Sequence, residues 1–305
     1  MNTLDVAILV ACLGGLWVGA NLVVDNSVST ARKMAISELV IGLTIVSIGT
    51  SAPEFAVSIF AALKDHGNIS IGNVVGSNIF NLGFILGGVA LIRPISTSPS
   101  IVKRDGGVLI LTTFILLLFL RDLFLSFWEG IFLICLLITY ISYLFRSRQK
   151  VSEEISTGTF RWYTPILLLI GLALIILSSH FLVDSASSIA RSLGLSEWVI
   201  GVTIVAMGTS TPELVTSLIA VIKGHHGLSA GNLVGSDIFN LLGVLGLVGT
   251  LQSLTVSSEA YGSIFLLCLM VITVVIMMRT DWKVSRIEGG VLVCMGMARW
   301  IMDFT

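Results

Sequence analysis

The chain has 305 residues, 55% hydrophobic and 11% charged, with a mean hydropathy of +1.01. A soluble domain carries about 25% charged residues, so this is the composition of a protein that crosses a bilayer many times. The net charge of −1 says nothing about nucleic acid, and no basic run or aromatic-interleaved patch exists to bind it.

The opening residues Met1 to Asp5 lack the basic stretch of a cleavable leader, so the first apolar segment is expected to persist as a helix. Against the roughly 20 residues that a span requires, hydropathy gives about ten segments. They lie near 4–26, 38–64, 70–92, 106–121, 126–146, 163–183, 197–223, 229–251, 261–279 and 286–303. Asp25, Asp184, Glu129 and Glu288 fall near segment ends and read as interfacial. Trp128, Trp162, Trp198, Trp282 and Trp300 read as interface anchors. Cys12, Cys135, Cys268 and Cys294 stand alone in apolar segments, without CxxC pairing. His66, His180, His225 and His226 sit in loops or near a helix end, without metal-ligand spacing. The longest polar gap, about Arg146 to Arg161, divides the chain into halves 1–150 and 151–305 of one membrane domain, five segments each.

The halves align. A shift of 159 residues superposes Glu38–Gly87 on Glu197–Gly246 without a gap, with 28 of 50 pairs identical, which marks an internal duplication. Five segments per half is an odd number, so the second half should enter the membrane in the opposite sense. With the N-terminus outside, the inner loops carry 13 Lys and Arg residues and the outer loops 4. The positive-inside rule therefore places both termini outside and makes the repeats inverted.

Each half carries a carboxylate, hydroxyls and a proline inside a membrane-length apolar stretch: Gly49-Thr50-Ser51-Ala52-Pro53-Glu54 and Gly208-Thr209-Ser210-Thr211-Pro212-Glu213. An acid at the bilayer centre costs about 2.5–3.5 kcal/mol on the most lenient scale, so something must compensate it. Pro53 and Pro212 free the carbonyls of Gly49 and Gly208. Ser51 or Ser210 could cap the half-helix that follows. Freed carbonyls at this depth must be buried in protein or line a cavity. A hard cation such as Ca²⁺, which takes 6–8 oxygens, would satisfy both carbonyls and carboxylates. Thr50 with Glu54, and Thr209 with Glu213, are spaced to share a helix face. A structural Glu beside a proline kink is the plain alternative, but two copies in one register, with no Lys or Arg in the apolar body of either segment, argue against it.

The next segments carry Asn73-x3-Ser77-x3-Asn81 and Asn232-x3-Ser236-x3-Asn240, polar stripes at helical spacing. Asn73 and Asn232 suit interhelical hydrogen bonds, while Ser77, Asn81, Ser236 and Asn240 lie deeper. Gly72-x3-Gly76 and Gly231-x3-Gly235 would let neighbouring helices approach closely. Asp237 breaks the symmetry, because its counterpart is Asn78; on a helical wheel it could meet the site obliquely, support it, or pair elsewhere.

These paired motifs resemble the α-repeats of the sodium/calcium exchanger branch of the cation/Ca²⁺ antiporter superfamily, in its short prokaryotic form. The resemblance spans the whole chain. It implies an all-α polytopic membrane protein of about ten transmembrane helices in two inverted five-helix repeats, with helices 2, 3, 7 and 8 broken at the core. It further implies that Na⁺ and Ca²⁺ compete for sites between the repeats, and that segments one and six form a sliding gate. By the same resemblance Glu54 and Glu213 are central carboxylates, and Thr50 and Thr209 donate carbonyls. Ser51, Ser77, Ser210 and Ser236 bind Na⁺ through hydroxyls, Ser47 and Ala206 offer backbone carbonyls, and Asn81 brings an amide. Many members have Asp where this chain has Asn240, so the charge balance turns on Asp237. The expected activity is Na⁺/Ca²⁺ antiport across the cell membrane, without a cofactor, by a monomer in the lipid bilayer. Ca²⁺/H⁺ exchange on the same two Glu residues is the alternative, and a passive cation channel a further one. With no HExxH and no nucleophile beside a His, an enzyme is not expected.

Overall fold

The computed structural model describes residues 3–147, 160–192 and 206–303, and it is helical nearly throughout. The boundary between the halves near residue 150, Glu197, Trp198 and the first part of the seventh segment lie outside the described residues. Twelve helical pieces follow in order. They are α1 (Thr3–Lys33), α2 (Glu38–Thr50), α3 (Ala52–Leu63), α4 (Gly67–Ile92), α5 (Gly106–Phe119), α6 (Phe127–Arg146), α7 (Thr164–Ser192), the single turn α8 (Ala206–Thr209), α9 (Thr211–Ile222), α10 (His226–Leu251), α11 (Ser258–Arg279) and α12 (Arg286–Asp303). Among the described residues, six helices are long and apolar enough to cross a membrane, or seven if the bent pair α2 and α3 counts as one span.

Burial sorts these helices into an inner and an outer set. In their most apolar stretches α4 and α10 are 72% and 83% buried, whereas α1, α6, α7 and α11 are 22–39% buried. The outer helices present Leu13, Ile138, Leu169 and Ile276 outward, as a lipid-facing surface requires. Glu129 and Glu288, placed at interfaces by the sequence, close capping boxes. Each takes the hydroxyl and the N–H of its N-cap serine, Ser126 or Ser285, at 2.7–2.8 Å. Trp128 and Trp162 are exposed at helix starts, and Trp282 lies under the Arg279 guanidinium at 5.0 Å.

The proline motif of the first half breaks its segment: α2 and α3 meet at 49°, with Ser51 non-helical at ψ 9°. In the second half Ser210 separates α8 from α9 with the same geometry, ψ 8°. The third and eighth segments behave otherwise. The sequence predicts breaks there too, yet α4 and α10 run through as 26-residue spans. Each instead changes to a π turn, at Asn81–Leu86 and Asn240–Val244. A π turn widens the helix by one residue without needing a proline and is often found where a helix carries a site.

Glycines set the closest approaches. A Cβ on Gly235 would lie 2.6 Å from the Leu43 Cα, and one on Gly231 would lie 2.5 Å from the Leu39 carbonyl, so α10 packs backbone to backbone on α2. The matching pair Gly72 and Gly76 meets no atom within 4 Å among the described residues. Gly235→Ala should therefore lower the thermal unfolding midpoint in detergent, with a cost of about 1–3 kcal/mol for overpacking. Gly14→Ala, where a Cβ would meet nothing within 4 Å, is the control and should not lower it.

Contacts between the halves come in reciprocal sets. Gly87 faces Gly289, and Gly130 faces Gly246. Four two-residue strands pair as β1 (Ile95–Ser96) with β4 (Lys283–Val284), and β2 (Phe124–Leu125) with β3 (Leu254–Thr255). Around β1 and β4, the Arg93 guanidinium donates to the Val221 and Ile222 carbonyls, and Arg286 donates to that of Ile92. Nearby, Lys223 pairs with Asp25, and His225 with Glu38 at 3.0 Å. A second cluster joins Gln252 to Asp65 and the Ser257 N–H to Asn68. Helix α4 begins in the second cluster and ends in the first; at 1.5 Å per residue the two clusters therefore lie at opposite ends of the molecule.

Candidate functional site

The two proline-broken helices bring Glu54 and Glu213 to the centre, and neither has any exposed surface. Their partners come from across the halves. Ser210 donates its hydroxyl to Glu54 Oε1 at 2.9 Å, and Ser51 donates to Glu213 Oε1 at 3.0 Å. Capping of α3 and α9 by these serines, predicted from the motif, does not occur, because their hydroxyls turn to the carboxylates instead. Ser236 adds a bond to Glu213 Oε1 at 3.3 Å, and Ser77 lies against Glu54 as its counterpart. The other oxygens, Glu54 Oε2 and Glu213 Oε2, are buried without a donor.

Thr50 does not turn toward Glu54. Its hydroxyl donates to the Ser47 carbonyl at 3.3 Å and to Asn232 Oδ1 at 3.2 Å, and lies 3.5 Å from the Ser236 hydroxyl. The Ser47 carbonyl also accepts from the Ser51 N–H. Thr209 is half-buried, and the backbone of Ala206 begins α8. Asn73 and Asn232 act as the expected interhelical ties. The Asn73 amide donates to the Glu54 carbonyl and to Ser58, and the Asn232 amide to the Glu213 carbonyl and to Ser217.

A second polar layer lies where α4 and α10 cross, and Asp237 is part of it. The Asn81 amide donates to Asp237 Oδ1 at 3.0 Å. The Asn240 amide donates to Asn78 Oδ1 at 3.1 Å, and the Asn78 amide to the Asp237 carbonyl at 3.1 Å. All four residues are fully buried. Asp237 Oδ2, Asn81 Oδ1 and Asn240 Oδ1 have no donor.

The sequence reading missed two participants. Asn78 was visible only as the counterpart of Asp237. Ser179 on α7 donates at 2.6 Å to the Gly208 carbonyl, one of the two that the prolines release; its counterpart on α1 is Ala20, which has no donor to offer.

Taken together, these two layers hold five buried oxygens without a donor, on Glu54, Glu213, Asp237, Asn81 and Asn240, with no Lys or Arg paired to them among the described residues. An uncompensated cluster of this kind calls for a cation. Among the described residues no trio of His, Cys, Asp and Glu converges. The donor set is therefore a mixed one of carboxylate, amide and hydroxyl oxygens, suited to hard cations rather than to zinc or copper.

The fold defines a polytopic helical membrane protein, and its centre is a buried cluster of oxygens without donors. The chain belongs to the sodium/calcium exchanger protein family, whose model matches residues 4–146 and 163–295. CaxA from Alkalimonas amylolytica is 36% identical over 96% of each chain. The sodium/calcium exchanger MaX1 of Methanosarcina acetivorans is 31% identical, over 100% of this chain and 99% of its own. Among solved structures, the sodium-calcium exchanger NCX_Mj soaked with zero Na⁺ and Ca²⁺ superposes with a TM-score of 0.88 at 30% identity, over 100% of both chains.

Proposed function

We propose that this chain is a secondary active antiporter that exchanges Na⁺ for Ca²⁺ across the cell membrane by alternating access. The observation that carries the reading is the set of five donor-free, buried oxygens on Glu54, Glu213, Asp237, Asn81 and Asn240. Membership of the exchanger family and the full-length likeness to NCX_Mj support it, and they favour Na⁺ over H⁺ as the coupling ion.

The ligands drawn on are the carboxylates of Glu54, Glu213 and Asp237, the hydroxyls of Ser51, Ser77, Ser210 and Ser236, and the amide oxygens of Asn81 and Asn240. Thr50, Thr209, Ser47 and Ala206 lend backbone or hydroxyl oxygens. Because Na⁺ and Ca²⁺ draw on the same oxygens, one displaces the other. An empty centre would carry bare carboxylates through a low-dielectric interior, which costs several kcal/mol. Exchange is thereby favoured over uncoupled return.

Ten spans in two inverted repeats, with both termini outside, complete the proposal. What supports inversion is the pairing of the short strands. The repeat counterpart of β1 is β3, yet β1 pairs with β4, and β2 pairs with β3. Corresponding loops of the two halves thus fall in different clusters, as they do when the halves enter the membrane in opposite senses.

The test is uptake of radiolabelled Ca²⁺ into proteoliposomes against an imposed Na⁺ gradient, with the membrane potential clamped. Uptake should vanish when choline replaces Na⁺ at fixed pH. Uptake driven by a pH gradient alone would assign H⁺ coupling, and flux that needs no counter-ion would make the protein a channel.

A further inference from the structure

An amide can serve a cation only through its oxygen, so a site containing Asn must fix which end of the amide faces the ion. Two site amides, Asn81 and Asn240, each donate their NH₂ group to an acceptor within the layer and leave Oδ1 without a donor. What each NH₂ group meets explains this. Asn81 meets Asp237 Oδ1, a carboxylate oxygen that can only accept. Asn240 meets Asn78 Oδ1, and Asn78 is itself held by donating its own NH₂ to the Asp237 backbone carbonyl, another group that can only accept.

Resting on the exchange reading above, we infer that Asn78 is a positioning residue: acting with Asp237, it orients the Asn240 amide so that its oxygen faces the transported ion. The relay starts from two acceptors of one residue. The Asp237 carboxylate sets Asn81 directly, and the Asp237 carbonyl sets Asn240 through Asn78. Reversing the Asn240 amide would put Oδ1 against Asn78 Oδ1 and point two N–H groups at the cation. Reversing Asn78 would put its oxygen against the Asp237 carbonyl. In this fully buried layer the unpaired groups of either arrangement would bear their desolvation penalty.

The test is a double-mutant cycle on the purified full-length protein in detergent, read by equilibrium binding of radiolabelled Ca²⁺. Asn78→Ala removes the acceptor that holds Asn240 and should weaken Ca²⁺ binding about tenfold. In an Asn240→Asp background a carboxylate presents an oxygen whichever way it turns, so Asn78→Ala should there cost less than about twofold. A purely packing role for Asn78 would cost the same in both backgrounds, and equal losses would overturn the inference. The charge-conserving swap of Asn78→Asp with Asp237→Asn guards against misfolding of the Ala variant. The swap rebuilds the relay with the halves exchanged and should bind Ca²⁺ at least about threefold more tightly than Asp237→Asn alone. A monodisperse swap that binds no more tightly than Asp237→Asn alone would also overturn it. Absence of Na⁺-driven uptake by the unsubstituted chain overturns the exchange reading instead, and absence of Ca²⁺ binding by that chain overturns both.

Discussion

Glu54→Gln and Glu213→Gln are each expected to abolish Na⁺-driven Ca²⁺ uptake in proteoliposomes while leaving the protein folded. Gln keeps the size of Glu and an oxygen that can still accept from Ser210 or Ser51, which now donate to the carboxylates at 2.9 and 3.0 Å. What it removes is a full charge. A pair of unit charges about 4 Å apart is worth about 4 kcal/mol at an effective dielectric near 20, and the double charge of Ca²⁺ raises that further before desolvation is subtracted. A net loss of even about 3 kcal/mol weakens binding more than a hundredfold. Near-normal uptake by both variants, with unchanged thermal unfolding midpoints, would remove these residues from the ion path.

Asp237→Asn is expected to weaken the apparent Ca²⁺ affinity of uptake by about tenfold or more and to alter its dependence on membrane potential. Asn can still accept from Asn81 through Oδ1, so the hydrogen bond at 3.0 Å has a substitute and the charge has none. With Asp237 ionised in the layer beside the two Glu residues, a Ca²⁺-loaded core carries one net negative charge; without that charge it is neutral. The division of electrogenicity between the Ca²⁺-loaded and Na⁺-loaded half-cycles therefore depends on this residue. Unchanged concentration and voltage dependence would place Asp237 outside the electrostatics of transport.

The main centre was legible in the sequence because its cost was. Glu54 and Glu213 stand in apolar segments where nothing nearby neutralises them, and the alignment at 159 residues shows the same expense incurred twice. The proline breaks were legible for a local reason, the missing N–H. The π turns at Asn81 and Asn240 were not, since a widened turn leaves no fixed residue signature. Nor was the purpose of Ser51 and Ser210. The local motif reads as a helix cap, and only the opposing half reveals that each hydroxyl belongs to the other copy's carboxylate. Asn78 was hidden for the same reason. Its neighbours in sequence are apolar or already assigned, and its three-residue relay exists only where α4 crosses α10. Periodicity reports which face of a helix is polar; it carries no information on what another helix sets against that face.

The four short strands bear on how such a molecule could have begun. Each half contributes one strand to each end of the molecule, and neither half pairs its own two strands. A half-length chain would leave both strand edges open, both carboxylate-facing serines without their acceptors, and one side of the Gly87–Gly289 and Gly130–Gly246 contacts bare. Two half-length chains lying antiparallel in one bilayer would supply all of these to each other. Fusing them removes the need for the copies to meet by diffusion, and it frees each copy to change alone. The difference between Asn78 and Asp237 is a change of that kind, since a self-paired chain could not carry an acid at only one of those two positions.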